Sequence, residues 1–200
     1  TRKWFEIDDL NDFDIASGLF SNQPLENIHG RFGGFWRFED KKDFTYLSNP
    51  YFPNSSFITE MTENAQKLIH HYPSSQRVNA KLMSALLDID ENLIAVGNGG
   101  SELIKLFADH FPNQTIISPT FKEYENRCKE PTLCSEISDI SLGNHECVVI
   151  VNPNNPTGEL YCKDQLLGLI SQNPLTTFLV DESFMDFASE SQSLLDESML

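Results

Sequence analysis

The sequence predicts an α/β fold in which helices flank a mostly parallel β-sheet. Two short runs of β-branched and large apolar residues, at 148–151 and 178–180, are typical of strands buried on both faces of such a sheet. Between 93 and 180, strand-like runs alternate with helix-like stretches, which favours right-handed crossovers between parallel strands. The polar residues that follow each run should then gather at one edge of the sheet, where α/β folds bind ligands.

The composition excludes several classes of protein. With 200 residues and 40% hydrophobic content, the chain can form one large globular domain, or a domain with an arm. Its formal net charge of −16 argues against a nucleic-acid partner, which needs a basic patch. No apolar run approaches the ~18 residues that span a bilayer, and residues 1–4 lack the apolar region of a secretion signal. We therefore expect a cytoplasmic protein without a membrane partner.

The first twenty residues form an acidic segment in which hydrophobic residues alternate with carboxylates. We expect Asp8 or Asp9 to cap a helix that is broken at Ser17-Gly18. The same two carboxylates are also suitable oxygen ligands for Mg²⁺. The stretch Trp-Phe-Glu-Ile-Asp-Asp at 4–9 resembles the closing segment of sugar- and choline-phosphate nucleotidyltransferases, in which an Asp at the position of Asp8 helps to hold the metal. This resemblance implies that 1–20 is the tail of an upstream domain, without activity of its own.

The next part of the chain is expected to be an arm followed by helices. Residues 21–54 mix glycine, proline and aromatic residues, which suits either an extended arm or a surface loop with a small hydrophobic cluster. From residue 55 the apolar residues recur every three or four positions, which predicts a helix that ends at Tyr72-Pro73. Ser75 is expected to cap the next helix. The predicted units are a tail at 1–20, an arm and first helix at 21–72, and the first part of the main domain at 73–200.

A glycine-rich turn at 97–100 lies between a predicted strand at 93–96 and a predicted helix from Leu103 to His110. Such a turn exposes backbone N–H groups at the positive end of the helix, so Gly100 and Ser101 are candidates for a phosphate site. The alternative is an ordinary turn in which Ser101 caps the helix. The remaining elements are predicted strands at 114–118, 133–137, 148–151 and 177–180, and helices within 119–127 and 163–171.

The predicted strand ends supply side chains that suit a planar, phosphorylated ligand. Asp181 ends an apolar run, a setting in which a carboxylate pairs with a buried cation. Asn155 offers an amide in a proline-flanked loop, and Phe121 or Tyr124 offers a ring that can stack. A phosphate, an oxygen that forms hydrogen bonds and a protonated ring nitrogen describe pyridoxal phosphate (PLP). The residues alone leave other phosphorylated ligands open.

Six motifs occur along the chain in a characteristic combination. They are Asn49-Pro50, Tyr72-Pro73, Gly-Asn-Gly-Gly-Ser-Glu-Leu-Ile at 97–104, Pro-Thr-Phe-Lys-Glu-Tyr at 119–124, Asn-Pro-Asn-Asn-Pro-Thr-Gly at 152–158 and Val-Asp-Glu-Ser-Phe at 180–184. Together they resemble the motifs of fold-type I PLP-dependent aminotransferases of class I/II, in particular the branch with histidinol-phosphate aminotransferases and threonine-phosphate decarboxylases. This resemblance implies an incomplete PLP-transferase large domain with an N-terminal arm.

The resemblance assigns roles around the cofactor ring. Asp181 would hold the pyridine nitrogen protonated, and Asn155 would bind the phenolic oxygen. Phe121, or alternatively Tyr124, would stack on the ring. Many relatives carry Tyr where this chain has Phe184, so one hydrogen bond to the cofactor oxygen, worth about 1.5–3 kcal/mol with a charged group, is absent.

Other roles implied by the resemblance concern the phosphate, the substrate and a second subunit. Gly100 and Ser101 would bind the phosphate, and Tyr72 would reach the phosphate of the neighbouring subunit in a homodimer. Asn49 would belong to the arm that contacts a small-molecule substrate.

The function that the resemblance implies is PLP-dependent amino-group transfer. The amino group would pass between an amino acid, or an amino-phosphonate or amino-phosphate compound, and a 2-oxo acid or aldehyde. The family's Schiff-base lysine follows the Asp by a few tens of residues; no lysine follows Lys163 here, so we expect it beyond residue 200. The alternatives are a PLP-dependent decarboxylase of an O-phosphoamino acid, which Phe184 favours, and an inactive cofactor-binding fragment. A fused upstream nucleotidyltransferase would account for any Mg²⁺ at Asp8.

Overall fold

A computed structural model describes residues 6–23, 49, 51–140 and 147–195. The chain divides into two compact units, Thr1–Pro73 and Ser74–Leu200. Throughout the described ranges, no helix combines the length and the apolar character that a membrane span requires.

The acidic segment of the first unit forms helix α1 (Leu10–Phe20), as predicted. Asp9 is its N-cap, and its side chain accepts a hydrogen bond from the backbone N–H of Asp12 at 2.8 Å. The expected break at Ser17-Gly18 is wrong, because the helix continues through both residues. A helical glycine costs about 1 kcal/mol relative to alanine, and burial of the adjacent Ile15 and Ala16 outweighs this cost.

Helix α2 (Ser55–His70) begins after Asn54, whose side chain accepts a hydrogen bond from the Phe57 N–H at 2.9 Å. It ends just before Tyr72-Pro73, as the sequence predicts, since proline cannot continue a helix. None of its residues is buried within the described part of the chain.

The second unit contains a parallel sheet of four strands within the described residues, in the order β2-β1-β3-β4. Helices flank the sheet, so the α/β prediction is confirmed. The elements are α3 (Gln76–Leu87), α4 (Gly100–His110), β1 (Asn113–Ile117), α5 (Lys122–Arg127), β2 (Glu130–Cys134), β3 (Cys147–Val151), α6 (Lys163–Gln172) and β4 (Thr177–Asp181).

The strand predicted at 93–96 is wrong. Glu91–Leu93 is a 3-10 turn, and residues 94–97 are not assigned to a strand in the described structure. In the amide orientation that satisfies both atoms, the Gln76 side chain accepts from the Val96 N–H at 2.7 Å and donates to the Val96 carbonyl at 2.8 Å. The side chain therefore occupies backbone groups that a neighbouring strand would use.

Two other boundaries differ from the prediction. β2 begins at Glu130 and ends at Cys134, three residues earlier than expected, because it pairs along its whole length with β1. Helix α4 begins at Gly100, so its N-cap is Gly99 and Ser101 lies inside the first turn. Gly99 has φ 85°, a conformation that glycine adopts without strain, which explains why the helix starts there. Ser75 is the N-cap of α3, as predicted, although its side chain makes no capping hydrogen bond.

The two faces of the sheet bury separate apolar clusters, because side chains alternate along each strand. On one face, Val149 packs with Ile104 of α4 and Tyr124 of α5. On the other face, Val148 packs with Leu166 of α6. All five residues of β3 are buried, which makes this strand the centre of a three-layer arrangement.

We predict that Leu166→Ala lowers the free energy of unfolding by about 2–5 kcal/mol, because the Leu166 side chain is fully buried and the substitution leaves a cavity. Urea unfolding of the wild-type protein and of the Leu166→Ala variant measures this loss. Leu175→Ala is the matched control, since Leu175 is 96% exposed and its truncation removes little packing. Equal effects of the two substitutions would contradict the assignment of Leu166 to the core.

Candidate active site at the carboxyl edge of the sheet

The sheet changes direction between β1 and β3. These two strands are neighbours, but the chain goes from β1 outward to β2 on one side and from β3 outward to β4 on the other. In open α/β sheets, such a switch point leaves a crevice at the carboxyl ends of the strands, and ligands bind there. The loops after β1 and β3 and the end of β4 all meet this edge. They carry Phe121, Asn155 and Asp181, three of the residues singled out from the sequence.

Asp181 is the last residue of β4 and stands beside Val151 in the strand register. Its Oδ2 accepts a hydrogen bond from the Tyr124 hydroxyl at 2.8 Å. Its Oδ1 accepts hydrogen bonds from the backbone N–H of Ser183 at 2.9 Å and from the Ser183 hydroxyl. A carboxylate has about four acceptor positions, so these three donors fix its orientation and leave room for about one more.

Tyr124 is almost completely buried, at 3% exposure, in the cluster on one face of the sheet. Burial raises the pKa of Tyr124, and the neighbouring charge of Asp181 raises it further. The hydroxyl therefore stays protonated and remains a hydrogen-bond donor to Asp181. Sequence reasoning missed this pair, since 57 positions separate the two residues and no local spacing connects them.

Phe121 lies immediately before α5, in the loop after β1, and is 38% exposed, so the residue is partly accessible to solvent. Its ring stands nearly perpendicular to that of Tyr124, with a centroid distance of 6.4 Å and an interplanar angle of 80°. Of the two aromatic residues considered for ring stacking, Phe121 is thus the accessible one, whereas the Tyr124 hydroxyl is engaged by Asp181.

The asparagines of the 152–158 loop differ in what their amides contact. Asn152 is fully buried, and its side chain pairs with the backbone of Tyr161, accepting from the N–H at 2.8 Å and donating to the carbonyl at 3.1 Å. Its own N–H donates to the Asp181 carbonyl at 2.8 Å, which extends the contact between β3 and β4. Asn155 is half-buried, and its side chain forms no hydrogen bond within the described ranges. The Asn155 amide is therefore available for a ligand.

Gly100 and Ser101 are exposed in the first turn of α4, where backbone N–H groups have no acceptor inside the helix. A side-chain carbon at Gly100 would meet no atom within 4 Å, so an anion can approach this turn closely. The Glu102 carboxylate lies beside it and accepts from the Asn98 N–H. In the described structure, no hydrogen bond joins Gly100 or Ser101 to Asp181.

The surroundings of the remaining candidates are described within their own units. Phe184 is half-buried after β4, with its ring 6.0 Å from that of Phe187. In the first unit, the Asn49 side chain accepts from the Tyr51 N–H at 2.9 Å, and Tyr72 is fully exposed. Asp8 is exposed, and the described residues contain no cluster of three or more potential metal-ligating side chains. The roles of these four residues stay predictions, and most of the predicted arm, at 24–48, lies outside the described residues.

The amino-acid sequence is similar to those of several known proteins. The family model for class I and II aminotransferases matches residues 119–198, which contain β2 to β4 and the loops of the site. The chain is 28% identical to a CMP-5'-(3-aminopropyl)phosphonate synthase of Streptomyces rubellomurinus, covering 92% of this chain and 32% of that protein. It is 30% identical to an L-serine phosphate decarboxylase of Campylobacter jejuni, covering 76% of this chain and 45% of that protein.

A solved structure shows the same fold. The histidinol-phosphate aminotransferase of Clostridium acetobutylicum superposes with a TM-score of 0.68 at 27% identity, covering 78% of this chain and 52% of that one. The chain thus spans about a third to a half of the length of these relatives. In its matched motifs and its parallel sheet, the chain is thus similar to part of a fold-type I, PLP-dependent aminotransferase domain.

Proposed function

We propose that this chain provides the ring-holding and phosphate-holding part of a PLP site in an amino-group-transferring enzyme. The amino group would pass between an amino acid, or an amino-phosphonate or amino-phosphate compound, and a 2-oxo acid or aldehyde. The observation that carries the proposal is the Asp181 carboxylate at the switch point. It is oriented by Tyr124 and Ser183 and retains capacity for one more donor.

The residues present fit the groups of this cofactor. When bound, PLP supplies a ring that withdraws electrons from the substrate's amine carbon. Asp181 would accept the pyridine N–H and thereby hold the ring proton in place. The Asn155 amide would donate to the phenolic oxygen, and the accessible face of Phe121 would cover the ring and exclude water. The N–H groups of Gly100 and Ser101 would bind the phosphate.

We also propose where the Schiff-base lysine lies and what Tyr72 and Asn49 contact. The chain spans about a third to a half of its relatives, so we place the lysine that forms the Schiff base after residue 200. Tyr72 would contact the phosphate of a second subunit in a homodimer, and Asn49 would contact the substrate. We propose a cytoplasmic enzyme with small-molecule substrates.

The resemblance to the phosphonate enzyme supports a proposal for the substrate class. The match to the CMP-5'-(3-aminopropyl)phosphonate synthase covers 92% of this chain, so it extends well beyond the aminotransferase-like motifs. An amino-phosphonate substrate is therefore the leading proposal. We also propose that residues 1–20 are the tail of an upstream nucleotidyltransferase-like domain, with Asp8 near its Mg²⁺.

Decarboxylation of an O-phosphoamino acid is the second candidate reaction. It is favoured by Phe184, which cannot give the cofactor the hydroxyl contact of the tyrosine found in many relatives. The 30% identity to an L-serine phosphate decarboxylase agrees with it. A cofactor-binding fragment without activity is the third candidate.

We predict that the full-length protein, incubated with 3-aminopropylphosphonate and a 2-oxo acid, consumes the oxo acid and converts the amine to the aldehyde. Chromatographic analysis of both products, with trapping of released CO₂, measures this. Incubation with O-phospho-L-serine is the parallel arm. Release of CO₂ from that compound without consumption of an oxo acid would contradict transamination and support decarboxylation. Absence of both reactions would contradict both proposed activities.

We predict that Asp181→Asn lowers kcat/KM by at least about tenfold, because a hydrogen bond to a charged group contributes about 1.5–3 kcal/mol. Asn preserves the shape of the side chain but cannot neutralise a protonated ring nitrogen. Steady-state kinetics of the full-length protein measures the change. Asp186→Asn is the matched control, since Asp186 is an exposed acid on the same segment. Wild-type kinetics in the Asp181 variant would remove Asp181 from its role.

We predict that Tyr124→Phe changes how stability depends on pH. An unfolded tyrosine titrates near pH 10, and in the folded state burial and Asp181 raise the pKa of Tyr124. The protonated Tyr124 hydroxyl therefore makes its full contribution to the free energy of unfolding below about pH 10. Above that pH this contribution is lost, by about 1.4 kcal/mol per pH unit.

Denaturant unfolding between about pH 8 and 11.5 tests this, with wild-type stability expected to fall more steeply than that of Tyr124→Phe above about pH 10. Burial raises the pKa of Tyr161 to about 12, but Tyr161 is present in both proteins and contributes equally. Parallel curves would show that the Tyr124 hydroxyl is not buried beside a charge.

A further inference from the structure

The side-chain amide of Asn154 joins the loop after β1 to the loop after β3. Its Oδ1 accepts from the Thr120 hydroxyl at 2.7 Å, and its Nδ2 donates to the Pro119 carbonyl at 2.9 Å and to the Thr157 hydroxyl at 2.7 Å. Asn154 and Thr120 are 9% and 7% exposed. The carbonyl and both N–H groups of the amide thus form hydrogen bonds at a buried position. Loss of a hydrogen-bond partner there costs free energy, because water cannot replace it.

This contact lies beyond the point where backbone pairing ends. The pairing between β1 and β3 ends where Ile116 of β1 stands beside Val149 of β3. Thr120 follows Ile116 by four positions, and Asn154 follows Val149 by five. Across the switch point, where a ligand enters, the two loops are therefore joined by the Asn154 side chain.

Each loop is also held on its own side. The backbone N–H of Asn154 donates to the Glu159 carbonyl at 2.8 Å, and the Gly158 N–H donates to the Asn154 carbonyl at 2.7 Å, which closes the turn after β3. In the β1 loop, the Ser118 hydroxyl donates to the Glu125 carboxylate at 3.0 Å. Two internally fixed loops that share one buried amide have a fixed relative position.

Phe121 directly follows Thr120, and Asn155 directly follows Asn154. We propose that Asn154 is a positioning residue, which fixes Phe121 and Asn155 relative to each other so that both contact one planar ring at the same time. Phe121 covers the face of the ring, and Asn155 donates to an oxygen at its edge. This inference rests on the proposed function, because it takes the ring to be that of PLP.

Asn152 provides a matched control within the same loop. It is also buried, but its amide pairs with the backbone of Tyr161, just before α6, and forms no hydrogen bond with the loop after β1 in the described structure. Substitution of Asn152 should destabilise the protein without changing how Phe121 and Asn155 are placed relative to each other. If Asn154 had a purely structural role, substitutions at Asn152 and at Asn154 would have the same effects on stability and on cofactor binding.

The test uses the full-length protein and PLP itself, with the variants Thr120→Val, Thr120→Ser, Asn154→Asp and Asn152→Asp. Three quantities are measured: the Kd for PLP, the circular dichroism of the bound cofactor band, and the Tm of the cofactor-free protein. Thr120→Val removes only the hydroxyl that Asn154 accepts from, at nearly constant shape. Asn154→Asp keeps the acceptor and removes the two donors.

We expect Thr120→Val to weaken PLP binding about fivefold, the equivalent of one net hydrogen bond, and to reduce the dichroism of the cofactor band. Asn154→Asp should act in the same direction, and Thr120→Ser, which restores the hydroxyl, should return both values to those of the wild type. Asn152→Asp should lower Tm at least as much as Thr120→Val, with wild-type dichroism and Kd.

Two results would overturn the inference while the proposed function stands: wild-type binding and dichroism in Thr120→Val and Asn154→Asp, or an equal change in Asn152→Asp. Failure of the wild-type protein to bind PLP would instead contradict the proposed function, and this inference with it.

Discussion

The hydrogen bond between the Tyr124 hydroxyl and the Asp181 carboxylate is the interaction on which the site depends. A carboxylate at the end of a half-buried strand needs polar partners, because an unpaired buried charge is costly. One partner, Ser183, is local, but Tyr124 comes from the helix after β1, on the other side of β3. The pair therefore links both sides of the switch point and sets where a positively charged ring nitrogen can be accepted.

The three asparagines in the loop after β3 make different contacts. Asn152 replaces missing backbone partners at Tyr161, and Asn154 ties the loop to Pro119 and Thr120. Asn155 keeps its amide without a partner in the described structure. The Asn152 amide stabilises the loop against Tyr161, the Asn154 amide fixes it to the loop after β1, and the Asn155 amide is left for a ligand. The link through Asn154 lowers the cost of orienting a ligand, since the two loops do not have to rearrange relative to each other when the ligand binds.

Much of the fold could be predicted because its central strands have a simple pattern. β3 and β4 are apolar runs that end in polar residues, and their predicted bounds agree with the structure to within one residue. The predicted bounds of β2 differ from the observed ones by three residues. β2 is a peripheral strand with mostly exposed residues, so its position depends on pairing with β1 and not on hydrophobicity. The contacts of Tyr124 and Asn154 could not be predicted, since each joins residues that are distant in sequence. Motif resemblance proposes residues that would contact a ligand, but it does not identify the residues that hold them in place.

The proposed role of Asp181 is to accept a hydrogen bond from a protonated ring nitrogen. The protonation state of this nitrogen can be measured by ¹⁵N NMR of the full-length protein loaded with PLP labelled at the pyridine nitrogen. We expect the chemical shift of a protonated pyridine nitrogen in the wild-type protein at neutral pH, and that of an unprotonated nitrogen in Asp181→Asn. An unprotonated nitrogen in the wild-type protein, or the same protonated signal in both proteins, would contradict this role.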